Sequence, residues 1–316
     1  MTAFTRLVIL AAFCLCSPAS SFADVDDALQ AYRAGDFAKA RDLLLPLAKA
    51  GNSRAQFILG DMSYLGQGVP KDLAVARTYY QAAAEAGLAV AQINIGTMLN
   101  EGEGGPQDSA AAFTWFERAA MQSNALAQYK VGACYYEGTC AAQNLPEALK
   151  WFKAAAGNGF AAAQYRLYWQ YAHAQGTERR MNLALFWLHA AAERDMGRAQ
   201  FALGFLYGSG TDLPQDWAKA AAWYESAARN GVAEACANLA VMHANGVGTE
   251  PDLVRGLMWM TIAAAAPERA TQASPTQFSA QRDLLFQRVS AGQASEAAKL
   301  ANEWMHAHWP SASTAR

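Results

Sequence analysis

Small and apolar residues recur along the chain at the three- and four-residue spacings of a helix face. One side of a predicted helix is apolar or aromatic at residues 76, 79, 80, 83 and 84. Ala55, Leu59 and Gly60 mark an earlier helix in the same way. Between the two helices, residues 66–72 (GQGVPKD) contain glycines that end one helix and a proline and an aspartate that begin the next. The pattern predicts an antiparallel pair of helices.

This helix pair recurs six times, with a period of 36 residues and no insertions. An alanine pair closes each copy, and an aromatic ring stands four residues before it, at Tyr79, Trp115, Trp151, Trp187, Trp223 and Trp259. Alanines allow neighbouring helices to approach closely, and the rings fill the space between copies. Stacked helix pairs of this kind form an α-solenoid.

The repeated pattern resembles the Sel1-like repeat, a relative of the tetratricopeptide repeat. Residues 59–87 (LGDMSYLGQGVPKDLAVARTYYQAAAEAG) are close to its consensus, and the resemblance covers residues 55–267. It implies an all-α, right-handed α-solenoid of stacked antiparallel helix pairs. It also implies a concave groove, lined by the first helix of each pair, that binds extended peptides or partner domains.

The segments on either side of the repeats are predicted to cover the ends of the array. Residues 24–54 resemble a tetratricopeptide-like capping repeat, and residues 268–316 are predicted to form a C-terminal helical cap and a loose tail. The cap contains two predicted helices, within residues 277–290 and 294–309, and residues 310–316 form the tail.

Residues 1–23 have the pattern of a secretory signal peptide. Arg6 precedes an apolar stretch of ten residues (LVILAAFCLC), and small residues precede a cleavage site predicted after Ala23. The apolar stretch is shorter than the about 20 residues that cross a bilayer, and no other stretch is long enough. The expected location is therefore the periplasm or the outside of the cell.

Composition and motifs argue against nucleic-acid binding and catalysis. The net charge is −2, and the lysines and arginines form no cluster. The chain contains no Ser-x-x-Lys, Lys-Thr-Gly, His-Glu-x-x-His or Gly-x-Ser-x-Gly motif, and its five histidines are scattered. We therefore predict no catalytic residues, no metal site and no cofactor.

The cysteines outside the signal segment suggest one possible disulfide. Cys134 and Cys140 have five residues between them (CYYEGTC), so a bridge would clip the loop after a helix. Two unpaired thiols are the alternative. Cys236 occupies a helix position where the other copies have glutamine, and we expect a buried, unreactive thiol.

Two positions of the first helix are predicted to face the groove, at residues 57 and 61 of the first copy and their equivalents. In copies four and five they bring together Tyr165, Trp169, Phe201 and Phe205, flanked by Arg166 and Arg198. Aromatic residues rimmed by arginine are typical of protein-interaction hot spots. Two alternatives are that the position-57 residues pack partly in the core, and that the fourth copy has merely drifted. Tyr168 and Arg180 replace a glycine and an aspartate there, which predicts a local distortion.

These features favour a non-catalytic protein-interaction scaffold or periplasmic regulator. The partner would be an envelope, signalling or host protein, and the oligomeric state stays open. One alternative is a weak hydrolase of β-lactams or cell-wall peptides, since the resemblance extends to proteins with such reported activities. It would need a serine and a lysine from different repeats. The other alternative is a glycan-binding module, because exposed rings also stack on sugars.

Overall fold

The computed structural model describes residues 18–266 and 275–309, and all regular elements within these ranges are α-helices. Most of the predicted signal segment, up to residue 17, then residues 267–274 and the predicted tail at 310–316 lie outside the described residues. The chain divides into two compact units. Unit 1 comprises residues up to 127 with 139–141, and unit 2 comprises residues 128–138 and those from 142 onward.

Unit 1 consists of three successive helix pairs. Its helices are α1 Pro18–Arg33, α2 Phe37–Lys49, α3 Ser53–Leu65, α4 Leu73–Glu85, α5 Ala89–Glu101 and α6 Ser109–Met121. The last two pairs are the first two predicted copies. The pair α1–α2 precedes them and packs on α3 around Val25, Ala28 and Leu44, which are 0% exposed.

Unit 2 contains the remaining four copies and two closing helices. Its helices are α7 Ala125–Glu137 (in unit 2 from residue 128), α8 Leu145–Gly157, α9 Ala161–Ala172, α10 Met181–Ala192, α11 Gly197–Ser209, α12 Trp217–Arg229, α13 Ala233–Asn245, α14 Leu253–Ala265, α15 Pro275–Phe286 and α16 Ala291–His308. Both α15 and α16 pack on α14. The ring of Trp304 in α16 lies 5.2 Å from that of Trp259, so the last ring of the aromatic column is covered.

In four of the six copies, the two helices fit together because a glycine of the first faces a ring of the second. A Cβ added to Gly60 would lie 2.7 Å from the ring of Tyr80. The same contact recurs between Gly96 and Phe116, Gly132 and Phe152, and Gly204 and Tyr224. These rings are almost fully buried. The glycine is therefore required by the ring, whose face packs directly on the backbone of the first helix.

The fourth copy exchanges the two sides of this contact. Tyr168 of α9 stands where four other copies have glycine, and Leu188 of α10 stands where those four have a ring; the sixth copy has alanine and methionine there. Leu188 is 0% exposed, and Tyr168 packs against the core cluster that contains it. The aromatic volume has moved from the second helix to the first, so the pair remains packed.

The distortion expected in the fourth copy is confined to the ends of its helices. Both α9 and α10 have 12 residues, whereas the helices of the other copies have 13. Ala174 has a φ of 57°, in the left-handed region that glycine occupies at the equivalent Gly66. Asp72 caps α4 by accepting two backbone N–H bonds, whereas the equivalent Arg180 makes no side-chain cap on α10.

Buried glutamines connect consecutive copies within each unit, as Gln92 shows in unit 1. The Gln92 Nε2 donates to the carbonyl oxygen of Ala84 at 3.1 Å, and its Oε1 accepts from Gln122 Nε2 at 2.9 Å. The amide therefore satisfies groups on the second helices of two consecutive copies. Equivalent amide pairs join Gln128 to Asn158 and Gln200 to Asn230.

The last copy closes this series with a residue from the C-terminal cap. Cys236 takes the glutamine position, and its thiol donates to the carbonyl oxygen of Val232, the residue just before its own helix. The Ala228 carbonyl oxygen, equivalent to that of Ala84, instead accepts the indole N–H of Trp309 at 3.0 Å. The indole thus replaces the missing glutamine donor.

The exchange between Tyr168 and Leu188 predicts strong energetic coupling. Leu188→Phe alone should destabilise the protein by about 1–3 kcal/mol, because a second ring overfills the contact. Tyr168→Gly alone should cost about 2–4 kcal/mol by leaving a cavity and weakening the helix. The double variant restores the arrangement of four other copies, and urea unfolding followed by circular dichroism should show that its cost is below the sum by about 1–3 kcal/mol. Additive costs would contradict the exchange.

Candidate functional site

Residues from α9, α11 and α13 line a cleft of about 360 Å³ in unit 2, named here the aromatic cleft. Its lining comprises Tyr165, Tyr168, Trp169, Arg198, Phe201, Ala202, Phe205, Leu206, Val232 and Glu234. Five of the six residues predicted for the groove are in this list, and Arg166 is not. Trp169 is 38% exposed and Phe205 is 55% exposed, so large apolar side chains are open to solvent.

The rings of α9 support one another. Tyr165 stacks on Tyr168 with ring centroids 5.9 Å apart and meets Trp169 edge-on at 6.4 Å. The indole of Trp169 also stacks on the imidazole of His173, one helical turn later, at 4.3 Å. Rings packed in this way lose little further freedom on binding, which favours their use as rigid contacts.

The position-57 column is partly core, as the alternative interpretation held. Phe57 and Phe201 each pack on the buried ring of their own second helix, Tyr80 and Tyr224, with centroids 5.7 Å apart. The fourth copy lacks that ring because Leu188 replaces it. Tyr165 therefore packs on the rings of its own helix, and the exchange concentrates three aromatic side chains beside one cleft.

Arg166 lies apart from the aromatic cleft, which corrects its predicted place in the patch. Its guanidinium lies over the ring of Tyr136 at 5.1 Å and 3.8 Å from the carboxylate of Glu137. Burial by itself lowers the pKa of Arg166, because it disfavours the charged guanidinium. A hydrogen bond with Tyr129 and the nearby Tyr136 and Glu137 outweigh this effect, so the pKa is raised. Arg198 is exposed, and within the part of the chain that the structure describes no ion pair engages it.

Sequence reasoning missed half of the cleft for identifiable reasons. The sequence does not mark Tyr168 as a cleft residue, because its column otherwise holds glycine or alanine, and only the matching loss of the ring at Leu188 reveals where its side chain goes. Glu234 belongs to the same repeat column as Arg198, one copy later, so extending that column would have found it. Val232 precedes a helix, and no pattern in the sequence marks it as a cleft residue.

A second cleft adjoins the first and shares Phe205 with it. This adjoining cleft has a volume of about 320 Å³ and is lined by Phe205, Gly208, Ser209, Trp217, Tyr224, Asn238, Val241, Met242 and Val247. Four of its nine lining residues, Phe205, Asn238, Val241 and Met242, lie one repeat after residues of the aromatic cleft. Unit 2 therefore presents two consecutive, mostly apolar clefts.

Unit 1 contains a cleft at the same repeat positions as the adjoining cleft, four copies earlier, but its lining is polar and acidic. This acidic cleft, of about 400 Å³, is lined by Asp61, Tyr64, Leu65, Tyr80, Asn94, Thr97, Met98 and Glu103. Asp61, Thr97 and Glu103 stand where unit 2 has Phe205, Val241 and Val247, whereas the tyrosine, asparagine and methionine are common to both clefts.

Tyrosine hydroxyls bind both carboxylates of the acidic cleft. Tyr80 donates to Asp61 at 2.6 Å, and Tyr64 donates to Glu103 at 3.1 Å. Burial raises the pKa of the Asp61 carboxyl, and the hydrogen bond from Tyr80 partly offsets that rise. Burial together with the bond to Asp61 raises the pKa of Tyr80. Five replacements at equivalent lining positions therefore separate a polar, acidic cleft from an apolar one, because Gly208 and Ser209 also stand where unit 1 has Tyr64 and Leu65.

Reactive side chains outside the clefts are disulfide-bonded or at least partly buried. Cys134 and Cys140 are disulfide-bonded, and Cys236 is a free thiol. Cys236 is 0% exposed, and burial raises its pKa to about 12. Burial, assisted by Arg255, lowers the pKa of His243, which favours neutral imidazole. Among residues 18–266 and 275–309, no three His, Cys, Asp or Glu side chains are grouped as metal ligands.

The state of the three cysteines predicts a specific pattern of thiol labelling in a chain that begins at residue 24. The folded protein should react negligibly with Ellman's reagent, because the Cys236 thiol is buried and remains protonated well above neutral pH. Denaturation should expose one thiol, and denaturation with reductant should expose three. Cys236→Ser should remove the thiol that denaturation alone exposes and leave two thiols in the denatured, reduced sample. Three thiols without reductant would contradict the disulfide.

None of the helices in the described residues combines the length and apolarity needed to cross a membrane.

Comparison with known proteins supports the repeat architecture. The sequence profile of the Sel1 repeat matches residues 53–88, 89–124, 125–160, 161–196, 197–232 and 233–267. A crystallised Sel1 repeat protein from Oxalobacter formigenes is 32% identical with a TM-score of 0.71, over 76% of this chain and 99% of that one. The protective antigen c5321 of uropathogenic Escherichia coli, which displays an SLR fold, is 23% identical with a TM-score of 0.52, over 92% of this chain and 69% of that one. No curated protein sequence matches the chain.

Proposed function

Because the chain belongs to the Sel1-repeat family, we propose that it is a non-catalytic scaffold whose aromatic cleft binds a protein partner. The observation that carries the proposal is the convergence of Tyr165, Trp169, Phe201 and Phe205 on one cleft, with Trp169 and Phe205 exposed. Four rings on two neighbouring copies form an apolar surface, and its removal from water by a partner makes the free energy of binding more favourable.

The composition of the aromatic cleft suits a protein interface. Tyrosine, tryptophan and arginine dominate binding hot spots, because they bury a large area and offer polar groups at the edge. Arg198 and Glu234 supply charges of both signs at this cleft. Charged groups at the edge of an apolar contact orient a partner and select against others, whereas the rings supply most of the affinity.

The lining of the clefts gives no support to the hydrolase alternative. The aromatic cleft contains neither serine nor lysine, and the adjoining cleft contains Ser209 without a lysine. A serine nucleophile needs a neighbouring base to take its proton. The rings of the aromatic cleft are compatible with sugar stacking, so a glycan is retained as a competing ligand in the experiment below.

We also propose that the protein is exported to the periplasm of a bacterium. The signal-peptide pattern ends at Ala23, and the buried side chains of α1 that the structure describes begin at Val25. Cleavage after Ala23 would therefore leave in the mature chain the contacts that Val25 and Ala28 make with α2 and α3.

The binding proposal predicts that a partner is lost when the exposed rings are removed. We expect the mature protein to capture a partner from envelope extracts, and Trp169→Ala with Phe205→Ala to weaken the purified complex by about 30-fold or more. Isothermal titration calorimetry with the identified partner measures this change.

The matched control removes two other exposed apolar side chains. Phe186 and Leu284 are 60% and 63% exposed, and neither lines the aromatic or the adjoining cleft. Phe186→Ala with Leu284→Ala should leave the affinity unchanged. Equal binding by both double variants would refute the aromatic cleft as the site, and displacement of the partner by soluble glycans would favour the glycan alternative.

The export proposal predicts that the mature protein begins at Asp24. Expression of the full chain in a Gram-negative host, followed by osmotic-shock fractionation and N-terminal sequencing, should find this N-terminus in the periplasmic fraction. Ala23→Arg should block processing, because signal peptidase requires a small residue there. An uncleaved protein retained in the cytoplasm would count against export.

A further inference from the structure

We propose that the acidic cleft of unit 1 binds a basic side chain, arginine or lysine, that a protein partner presents. The aliphatic stem of that side chain would pack on the apolar part of the cleft, and its charged head would contact the carboxylates of Asp61 and Glu103. This inference goes beyond the proposed function, because it concerns a different cleft in a different unit, and each can fail without the other.

The acidic cleft combines apolar surface with carboxylates that have no cationic partner. Leu65 is 57% exposed and supplies apolar surface to a volume of about 400 Å³. Among the residues that the structure describes, no lysine, arginine or histidine forms an ion pair with Asp61 or Glu103. A bare metal ion would leave most of this volume unfilled, whereas a basic side chain brings an aliphatic stem together with its charge.

The hydroxyl donors of the acidic cleft are already used within the protein. Tyr80 donates to Asp61 at 2.6 Å, and Tyr64 donates to Glu103 at 3.1 Å. Thr97 donates to a carbonyl oxygen of its own helix at 2.9 Å. The carboxylates retain lone pairs that these bonds do not occupy, so a ligand rich in donors is the one that fits. Guanidinium and ammonium groups carry donors and no acceptor.

The hydrogen bond from Tyr64 does not require a charge on its acceptor. Two copies later, at the equivalent positions, Tyr136 donates to Gln175 at 2.9 Å. A neutral glutamine therefore satisfies the same contact between copies. The negative charge of Glu103 is additional to what the packing of the repeat needs.

The carboxylate of Asp61 is likewise not required by the framework. Tyr224, at the position of Tyr80, hydrogen-bonds Asn238 in a cleft whose lining contains no carboxylate. Tyr80 makes the equivalent bond to Asn94 and the bond to Asp61 as well. The other five copies have uncharged residues at the position of Asp61, namely Thr97, Ala133, Trp169, Phe205 and Val241. Because burial disfavours the ionised form of Asp61, a bound cation would supply compensation that the protein itself does not.

The charges around the acidic cleft are mostly negative. The hydrogen bond to Glu103, together with burial and the charges of Glu103 and Glu101, raises the pKa of the Tyr64 hydroxyl. Lys71 is exposed, and its ammonium lies 5.8 Å from the centre of the Tyr64 ring. Three carboxylates, those of Asp61, Glu101 and Glu103, therefore stand against one ammonium. Charge complementarity selects a cationic group on the partner.

The test is selection from a random library of displayed 12-residue peptides on the mature protein, with counterselection on a neutralised variant, Asp61→Asn with Glu103→Gln. Both substitutions keep an acceptor for the tyrosine hydroxyls, so the variant should fold, which circular dichroism checks. We expect enriched peptides to carry an arginine or a lysine beside an apolar residue. Fluorescence anisotropy with the best synthetic peptide should show binding about tenfold weaker for the neutralised variant.

The matched control changes the net charge by the same amount outside the cleft. Asp27 and Glu85 are exposed residues of unit 1 that do not line the acidic cleft. Asp27→Asn with Glu85→Gln should alter the affinity by less than about twofold, because solvent and salt screen distant surface charges. An equal loss in the control and in the neutralised variant would overturn a specific contact with the acidic cleft.

A change in the peptide identifies the group that the carboxylates bind. Citrulline in place of arginine, or acetyl-lysine in place of lysine, removes the charge and keeps most of the shape. This replacement should weaken binding to the mature protein about tenfold and cause no further loss with the neutralised variant, because the two changes remove the same contact. Equal losses with both proteins would overturn the inference.

The remaining outcomes separate this inference from the proposed function. Spermidine that binds more tightly than the peptide, and depends on Asp61 and Glu103, would overturn a protein side chain in favour of a free polyamine. The variant Trp169→Ala with Phe205→Ala should bind the enriched peptides as the mature protein does. Peptides that need these rings and ignore the carboxylates would overturn this inference and leave the proposed function standing. A partner that ignores the rings, with basic peptides still bound through the carboxylates, would do the reverse.

Discussion

The contact between a glycine of one helix and a ring of its partner is the constraint on which the rest of this structure depends. The ring packs on bare backbone, so the helix pair closes to a fixed distance, and any side chain at the glycine must be matched by a smaller residue opposite. The pair Gly204–Tyr224 shows the rule, and Tyr168–Leu188 shows its inversion. In both cases a ring on one helix is matched by a smaller residue on the other, which keeps the contact densely packed.

The rings of these contacts also form part of the clefts. Tyr80 and Tyr224 fill the helix pair with their rings and also line the clefts of their units. The residues around them are then free to vary. Asp61 against Phe205 and Glu103 against Val247 show that one scaffold carries either an acidic or an apolar cleft. A repeat protein can thus change its ligand by substituting a few positions on a framework whose packing is untouched.

Stacked copies need hydrogen-bond partners for their buried polar groups as well as close packing of their side chains. The amide of Gln92 bonds to the carbonyl of Ala84 and to the side chain of Gln122, which joins two consecutive copies. The last copy has no following repeat to continue the pattern, and the indole of Trp309 takes over the carbonyl of Ala228. The C-terminal cap therefore closes the array with a hydrogen bond as well as apolar cover.

The sequence by itself determined the all-α repeat architecture, the helix pairs and the family, because a period without insertions exposes every packing column to direct reading. It also brought together Tyr165, Trp169, Arg198, Phe201 and Phe205, because residues four apart on a helix form one ridge. The side-chain directions that neighbours impose were decided only in the tertiary structure. Arg166 turned to Tyr136 and Glu137, and Tyr168 entered the cleft because Leu188 left room for its ring. A column shows which residue types share a position, whereas the destination of each side chain depends on the space that the facing helix leaves.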